Sequence, residues 1–136
     1  MQFEVYAKGL ATLSVDCIVL GVFEDGEMAD ETGTVDSAAS GLLKKLLTRG
    51  DFSGRSGETL LLTEVPGITA SRALLTGLGA RKSFSRKHWR RALGAALTAV
   101  LRTRIASIAV AIDRPPLKDL DDYYFGRAVE IGRAHV

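Results

Sequence analysis

The sequence is poor in the features that identify several classes of protein. It has a single cysteine, Cys17, so no disulfide can form within the chain, which fits a reducing compartment. No apolar run approaches the ~20 residues that a membrane-spanning helix needs, and the first residues lack the basic-then-apolar pattern of a secretory leader. Lys and Arg outnumber Asp and Glu by only 18 to 16, so the overall charge favours neither a nucleic-acid binder nor a membrane-surface protein.

The 136 residues that are present are typical of one globular domain. Apolar residues make up 46% and charged residues 25%, values that exclude disorder. A chain of this length can bury about two-thirds of its unfolded surface. Dividing it into two domains would leave each half without a core.

Apolar periodicity predicts strands that alternate with helices. We expect strands at 2–7, 17–23, 59–65, 72–76 and 105–112, the second of them apolar enough to be covered on both faces. One helix is expected to bury a stripe of small and branched residues: Val35, Ala38, Ala39, Leu42, Leu43 and Leu46. A second is expected to bury Trp89, Ala92, Leu93, Ala96, Leu97, Val100 and Leu101, and a third follows near 117–124. This alternation predicts an α/β layered sheet with helices packed on its faces.

Local signals suggest where the helices begin and end. Thr34 or Asp36 is expected to cap the first helix after a loop over 24–34, and Gly50 to end it. Ser83 or Ser85 is expected to cap the second helix. The stretch 51–58 has the glycines and serines of a loop.

Gly77-Leu78-Gly79 follows a strand and precedes a helix, as a dinucleotide-binding loop does. The third glycine of that fingerprint would fall at position 82, which is Lys82, so the motif is incomplete. Two interpretations stay open: a tight turn, or a phosphate-binding loop.

Basic residues are concentrated between positions 81 and 91. The candidate contacts for an anion or a nucleic acid are Arg81, Lys82, Arg86, Lys87, Arg90 and Arg91. Cations in the first turn of a helix oppose its macrodipole, and an anionic partner would offset this: phosphate, nucleic acid or an acidic neighbouring subunit. The alternative is a solvated helix face.

The remaining reactive side chains do not form a recognisable site. Cys17 lies in an apolar strand and is expected to be a small buried hydrophobe. His88 and His135 have no carboxylate or cysteine at metal-ligand spacing. The carboxylates of Asp119, Asp121 and Asp122 fit the start of the last helix. We therefore predict no catalytic and no metal-binding residue in this chain.

The order of several segments resembles one known family. These segments are Cys17-Ile-Val-Leu-Gly-Val-Phe-Glu24, Ser40-Gly-Leu-Leu-Lys-Lys-Leu-Leu47, Arg49-Gly-Asp-Phe-Ser-Gly54, Gly57-Glu-Thr-Leu-Leu-Leu62, Val65-Pro-Gly-Ile68 and Arg72-Ala-Leu-Leu-Thr-Gly-Leu-Gly79. Together they resemble the N-terminal domain of the cytosol (leucyl) aminopeptidase family, from about residue 1 to residue 129.

The resemblance implies a macro-domain-like, non-catalytic domain of a cytoplasmic homohexamer. In that family a separate catalytic domain holds two divalent ions, zinc or manganese, and releases N-terminal amino acids from peptides. The family's Asn-Thr-Asp-Ala-Glu-Gly-Arg-Leu signature cannot occur here, because this chain contains no asparagine. We therefore expect the catalytic domain to be absent from this chain and the chain alone to be inactive. The partners expected for the parent protein are its own catalytic domain, the other subunits and peptide substrates. No association with a membrane is expected. Nucleic-acid binding by the basic segment 81–91 remains a second hypothesis. A third is an ADP-ribose or nucleotide pocket, suggested by the macro-domain-like fold that the resemblance implies together with Gly77-Leu78-Gly79.

The last seven residues, Glu130-Ile-Gly-Arg-Ala-His-Val136, depart from the family where a helix should continue. They also read like a common sequencing adapter translated in one frame. We expect residues 130–136 to be an adapter-derived or truncation scar, which would leave His135 without a role.

Overall fold

A computed structural model describes residues 2–5, 10–28 and 30–111, which form a sheet with helices on both faces. Its strands are β1 (Gln2–Val5), β2 (Cys17–Phe23), β3 (Thr59–Leu62), β4 (Arg72–Gly79) and β5 (Ser107–Ala111). Its helices are α1 (Asp30–Ala38), α2 (Leu42–Arg49) and α3 (Arg86–Leu101), with short 3-10 helices at Leu10–Thr12 and Arg81–Ser83. The α/β layered architecture is confirmed. The helix expected near 117–124 and the tail 130–136 lie outside the described residues.

The described strands are ordered β1-β5-β2-β4-β3 across the sheet. All neighbours are parallel except β3, which runs antiparallel to β4 at one edge. Every residue of the central strand β2 is buried, which confirms the prediction that both of its faces are covered. The carboxyl ends of the parallel strands therefore lie along one edge of the sheet, and the loops and helices that follow them meet there.

Alternate residues of β2 pack into two separate cores. Cys17 and Val19 face α3, whose Trp89 and Leu93 fill the same layer. Ile18 and Leu20 face the opposite layer, which contains residues of α1 and α2 such as Val35 and Leu43. One buried hydroxyl joins each layer to the sheet: Thr32 Oγ1 donates to the carbonyl of Gly21 at 3.2 Å, and Thr76 Oγ1 donates to the carbonyl of Ala92 at 2.9 Å.

The stripe from Val35 to Leu46 belongs to two helices, so the prediction of one helix was wrong. Ser40 and Gly41 both adopt left-handed backbone conformations, with φ of 60° and 79°, and they break the helix between α1 and α2. The apolar spacing continues across the break because both helices pack on the same layer of the core. The loop expected over 24–34 is also shorter, since α1 already begins at Asp30.

Asp36 caps a helix, but not the one that contains it. Its Oδ1 accepts hydrogen bonds from the amides of Leu43 at 2.7 Å and Lys44 at 3.4 Å, in the first turn of α2. The residue at the N-cap position of α2 is Gly41, which has no side chain to do this. Gly50 ends α2 in the left-handed conformation, as predicted, with φ of 82°.

Four further expectations need correction. β4 continues through Gly77 and Leu78 to Gly79, and β3 ends at Leu62 rather than at residue 65. Ser85 occupies the N-cap position of α3, but its hydroxyl bonds to the Nδ1 of His88 at 2.9 Å and not to a helix amide. The buried stripe of α3 is confirmed from Trp89 to Val100, whereas Leu101 is 43% exposed.

Candidate functional site at the carboxyl end of the sheet

The carboxyl ends of β2 and β4 are where this topology would place a ligand. The two strands are neighbours, and the chain leaves β2 towards α1 on one face and leaves β4 towards α3 on the other. Open α/β sheets bind ligands in the crevice outside such a switch point. The last residues of the two strands, Phe23 and Gly79, mark its position.

The loop 51–58 crosses this edge of the sheet. The amide of Gly79 donates to the carbonyl of Gly54 at 2.9 Å, and the amide of Gly77 donates to the carbonyl of Glu58 at 2.8 Å. A Cβ on Gly54 would lie 2.5 Å from the carbonyl oxygen of Phe23, so the loop backbone reaches the end of β2 as well. A loop segment of the chain itself therefore covers the ends of both strands.

Gly77 and Gly79 allow this close approach. A Cβ on Gly77 would lie 1.8 Å from the carbonyl oxygen of Arg55, a distance that no side chain could tolerate. Gly79 has a φ of 79°, the left-handed region that glycine adopts at no steric cost. Both amides already donate to carbonyls of the chain, whereas a phosphate-binding loop needs its amides free. These bonds disfavour a phosphate-binding loop. The three residues belong to β4, so the tight turn is not observed either, and the glycines make room for the backbone of the loop 51–58.

The carboxylate of Glu58 organises the loop. Its Oε1 accepts from the hydroxyl of Ser53 at 2.7 Å and from the amides of Ser53, Gly54 and Arg55 at 2.9 to 3.2 Å. Desolvation acts against the charged form, but these hydrogen bonds outweigh it and lower the pKa of Glu58 below its ordinary value. The sequence analysis did not single out Glu58, whose role depends on contacts with the loop backbone.

Arg81 is a basic residue close to this edge, and its side chain is already engaged by other residues of the chain. Its guanidinium lies 3.5 Å from Asp25 and 3.3 Å from Glu27, and its Cζ is 4.4 Å from the centre of the Phe23 ring. Phe23 also makes an edge-to-face contact with Phe84, with ring centres 5.2 Å apart. These contacts hold the 3-10 turn after β4 against the end of β2.

The other cations lie on α3 and line one open groove: Arg86, Lys87, Arg90 and Arg91. Lys82 is exposed in the preceding 3-10 turn and does not line it. The first turn of α3 contains no acidic residue. Cations in a first turn and like charges four residues apart each cost a few tenths of a kcal/mol, so the groove lowers the stability of the isolated helix by about 1 kcal/mol.

A polar cluster that the sequence did not predict lies between the loop and α3. The Cβ of Ser56 and the Cδ2 of His88 lie 3.3 and 3.7 Å from the position that a Cβ on Gly79 would occupy. The hydroxyl of Ser56 is buried without a hydrogen-bond partner among the described residues. The described residues bring together no group of three or more His, Cys, Asp or Glu side chains that could hold a metal ion.

Cys17 is a core residue, as predicted. It is fully buried in β2, and this burial raises the pKa of its thiol to about 12 although Arg72 acts in the opposite direction. A thiol with such a pKa contains almost no thiolate at neutral pH, so it is a poor nucleophile. Among the helices that the structure describes, none combines the length and apolar character required to cross a membrane.

Comparison with known proteins agrees with the fold and shows the family. Residues 19–132 match the sequence model of the N-terminal domain of the cytosol aminopeptidase family. A probable cytosol aminopeptidase of Burkholderia thailandensis is 42% identical over 113 residues, which are 83% of this chain and 22% of that protein. A protein of the same name from Paraburkholderia phymatum is 38% identical over 89% of this chain and 24% of its own length. The chain thus spans less than a quarter of these relatives.

Solved structures show the same fold. A mutant of tomato leucine aminopeptidase superposes on 98% of this chain and 27% of its own, with a TM-score of 0.69 and 24% identity. The macrodomain of Mycobacterium tuberculosis DarG superposes over 98% of this chain and 91% of its own, with a TM-score of 0.75 and 12% identity. The macro-domain-like fold is therefore confirmed, and the chain belongs to the cytosol aminopeptidase family, in which it corresponds to the N-terminal domain.

Proposed function

We propose that this chain is the N-terminal, non-catalytic domain, residues 1–129, of a metal-dependent leucyl aminopeptidase of the cytosol. The observation that carries the proposal is the match of residues 19–132 to the family's N-terminal domain, in a chain that spans only 22% to 24% of related aminopeptidases. The remaining part of the parent would contain the catalytic domain. Residues 130–136 are proposed to be an adapter-derived or truncation scar, although the family match itself extends to residue 132.

The domain itself is proposed to be a structural support that packs on the catalytic domain and shapes a homohexamer. Two features favour this role over a ligand-binding one. Both faces of the sheet are covered by helices, and the loop 51–58 covers the carboxyl ends of β2 and β4. What remains available for contact is the outer surface of the helices and loops.

The chemistry of the parent would come from two divalent ions, manganese or zinc, which polarise the scissile carbonyl and supply a hydroxide nucleophile. The described residues do not fit such a centre, since they assemble no group of potential ligands. We therefore assign no step of peptide hydrolysis to this chain. Its proposed contribution is to bind and orient the neighbouring domain.

The other two hypotheses are not favoured. A nucleotide or ADP-ribose pocket at Gly77-Leu78-Gly79 would need amides that already bond to Glu58 and Gly54, and a 12% identical macrodomain shares the fold alone. Nucleic-acid binding through the basic segment 81–91 would depend on four groove cations, fewer than the ~6–10 phosphate contacts of a typical DNA-binding protein.

An activity assay tests the proposal. The purified chain and its full-length parent would be incubated with leucine p-nitroanilide and with a leucyl peptide, in the presence of manganese or zinc. We expect hydrolysis by the parent only. Release of N-terminal residues by the chain alone would overturn the non-catalytic assignment, and a parent without metal-dependent activity would overturn the family function.

A further inference from the structure

The strand β3 lies at one edge of the described sheet. Among the described strands, only β4 pairs with it. The amide of Gly77 donates to the carbonyl of Glu58, the residue directly before β3. Because hydrogen-bonded pairs alternate along an antiparallel ladder, Leu60 and Leu62 also bond to β4. The N–H and C=O groups of the intervening residues therefore point away from the sheet.

The side chains of β3 give this edge an apolar character on both faces. All four residues are half-buried. Leu60 and Leu62 pack against the core layer of α1 and α2, and Leu61 packs against the layer of α3. Proteins protect the edge strands of a sheet from other strands with charged residues or proline. Residues 59–63 contain neither, whereas β1 at the opposite edge contains Glu4.

The sequence around β3 reads the same in both directions. Residues 58–64 are Glu-Thr-Leu-Leu-Leu-Thr-Glu, with Leu61 at the centre. If two antiparallel copies are related by a twofold axis at Leu61, leucine lies opposite leucine and threonine lies opposite threonine. A patch that is complementary to itself in this way is what a twofold contact between identical chains requires.

We propose that β3 pairs with β3 of a second copy of this chain, antiparallel and centred on Leu61, so that the two sheets become continuous. Leu61 would exchange two hydrogen bonds with the partner's Leu61, and Thr59 would bond to the partner's Thr63 at each end. The outward N–H and C=O groups would then be paired, and cross-strand leucine and threonine pairs would form. This inference goes beyond the proposed supporting role, because it requires neither the catalytic domain nor peptidase activity.

The proposed contact is short, and like charges oppose it at its ends. Five paired residues span about 17 Å. An interface of this size falls below the ~1,200–2,000 Å² of stable complexes, so we expect a dissociation constant on the order of 10 to 100 μM. Glu64 is exposed and would lie opposite the partner's Glu58. Like charges directly opposite each other are destabilising, so removing the charge of Glu64 should strengthen the dimer.

Disulfide cross-linking tests both the contact and its register. The Cα atoms of the two Leu61 residues would lie about 5.5 Å apart, within the range of roughly 4.4 to 6.8 Å that a disulfide bridges. Leu61→Cys should therefore form an intermolecular disulfide under mild oxidation. Thr59→Cys and Thr63→Cys should each stay monomeric, because equivalent positions would be displaced by about 13 Å along the strands. An equal mixture of these two variants should link to each other.

The native thiol does not interfere with this experiment, since Cys17 is fully buried in β2. Circular dichroism would establish that each variant remains folded. A folded Leu61→Cys variant that does not cross-link would overturn the proposal. Equal linking of Thr63→Cys by itself would also overturn it, because that result would indicate random collision instead of a defined register.

Sedimentation equilibrium provides an independent test on the unmodified chain. Concentrations from about 10 to about 500 μM bracket the expected dissociation constant and should show monomers and dimers in exchange. Thr59→Pro removes an outward N–H and leaves the bonds to β4 in place, so it should weaken the dimer at least tenfold. Glu64→Gln should strengthen it two- to threefold. The matched change Glu24→Gln, at an exposed acid that follows β2 two strands away, should not.

Two results of this measurement would contradict the pairing. One is an unmodified chain that stays monomeric over the whole concentration range. The other is a dimer that Thr59→Pro does not weaken. Neither result would affect the non-catalytic assignment, which the activity assay tests separately.

Discussion

Replacing Gly77 by alanine should be among the most damaging single-methyl changes available in this chain. The new Cβ would lie 1.8 Å from the carbonyl oxygen of Arg55 and 2.8 Å from the carbonyl carbon of Gly54. Both are backbone atoms, which cannot move aside as the end of a flexible side chain could. The loop 51–58 must therefore shift away from β4.

The expected cost follows from the contacts that such a shift disrupts. Overpacking of a tight site costs about 1 to 3 kcal/mol. Three hydrogen bonds join the loop to Gly77 and Gly79, each contributing about 1 kcal/mol, and we expect the shift to break about one of them. We expect a loss of about 2 to 4 kcal/mol. For a domain of this length, that corresponds to a fall in Tm of about 8 to 16 °C.

Gly94 offers a matched control on α3. It is exposed, and nothing lies within 4 Å of the position that its Cβ would occupy. Gly94→Ala should stabilise the chain by up to about 1 kcal/mol, because alanine is the better helix former. Thermal unfolding followed by circular dichroism measures both variants. If Gly77→Ala melts within about 1 °C of the unmodified chain, the loop does not lie against β4 and the argument that it covers the sheet edge fails.

Three further predictions concern single side chains. Asp36→Ala should lower the free energy of unfolding by about 1 to 2 kcal/mol in urea titrations, because it uncaps α2, and Asp36→Asn should retain part of the cap. Burial raises the pKa of the Cys17 thiol to about 12 from 9.0, so the stability that the protonated thiol contributes should be lost as pH rises between these values. In urea titrations at successive pH values, Cys17→Ala should flatten that decline. A native thiol that reacts rapidly with Ellman's reagent at about pH 8 would contradict the burial. Since the pKa of Glu58 is lowered in the folded chain, Glu58→Gln should be less stable than the unmodified chain at pH 7. This difference in stability should disappear as pH falls below about 4. A difference that persists in acid would contradict the role of the charge.

The elements predicted most accurately are those in which a continuous run or a regular stripe of apolar residues is buried along its whole length. The apolar run from Cys17 to Phe23 has the same bounds as β2, because a strand covered on both faces needs no polar residue anywhere. The buried stripe of α3 was predicted from Trp89 to Val100 for a similar reason. The prediction that Leu101 is buried was wrong, because α3 ends at this residue and leaves its side chain 43% exposed.

The parts that could not be predicted depend on pairs of residues far apart in the chain. The spacing of apolar residues from Val35 to Leu46 does not show that Ser40 adopts a left-handed backbone conformation and breaks the helix. The spacing is preserved because both helices bury their apolar residues in the same core layer. The prediction that Thr34 or Asp36 caps the first helix was wrong, since both lie within α1. Asp36 instead caps α2, which became visible only once the break was known. The approach of Arg55 to Gly77 is likewise a tertiary contact without a sequence pattern.

The same tertiary contacts decide between the functions that the sequence left open. A Gly-x-Gly segment after a strand is compatible with two uses of glycine: space for a ligand phosphate, or space for another part of the backbone. Here the space beside Gly77 is filled by Arg55, and the amides of Gly77 and Gly79 donate to the loop. A ligand at this position would have to displace a segment that Glu58 holds through four hydrogen bonds. Because the loop 51–58 covers the carboxyl ends of β2 and β4, the domain would bind its partners through its outer surfaces. For this reason we propose a supporting role within a larger aminopeptidase.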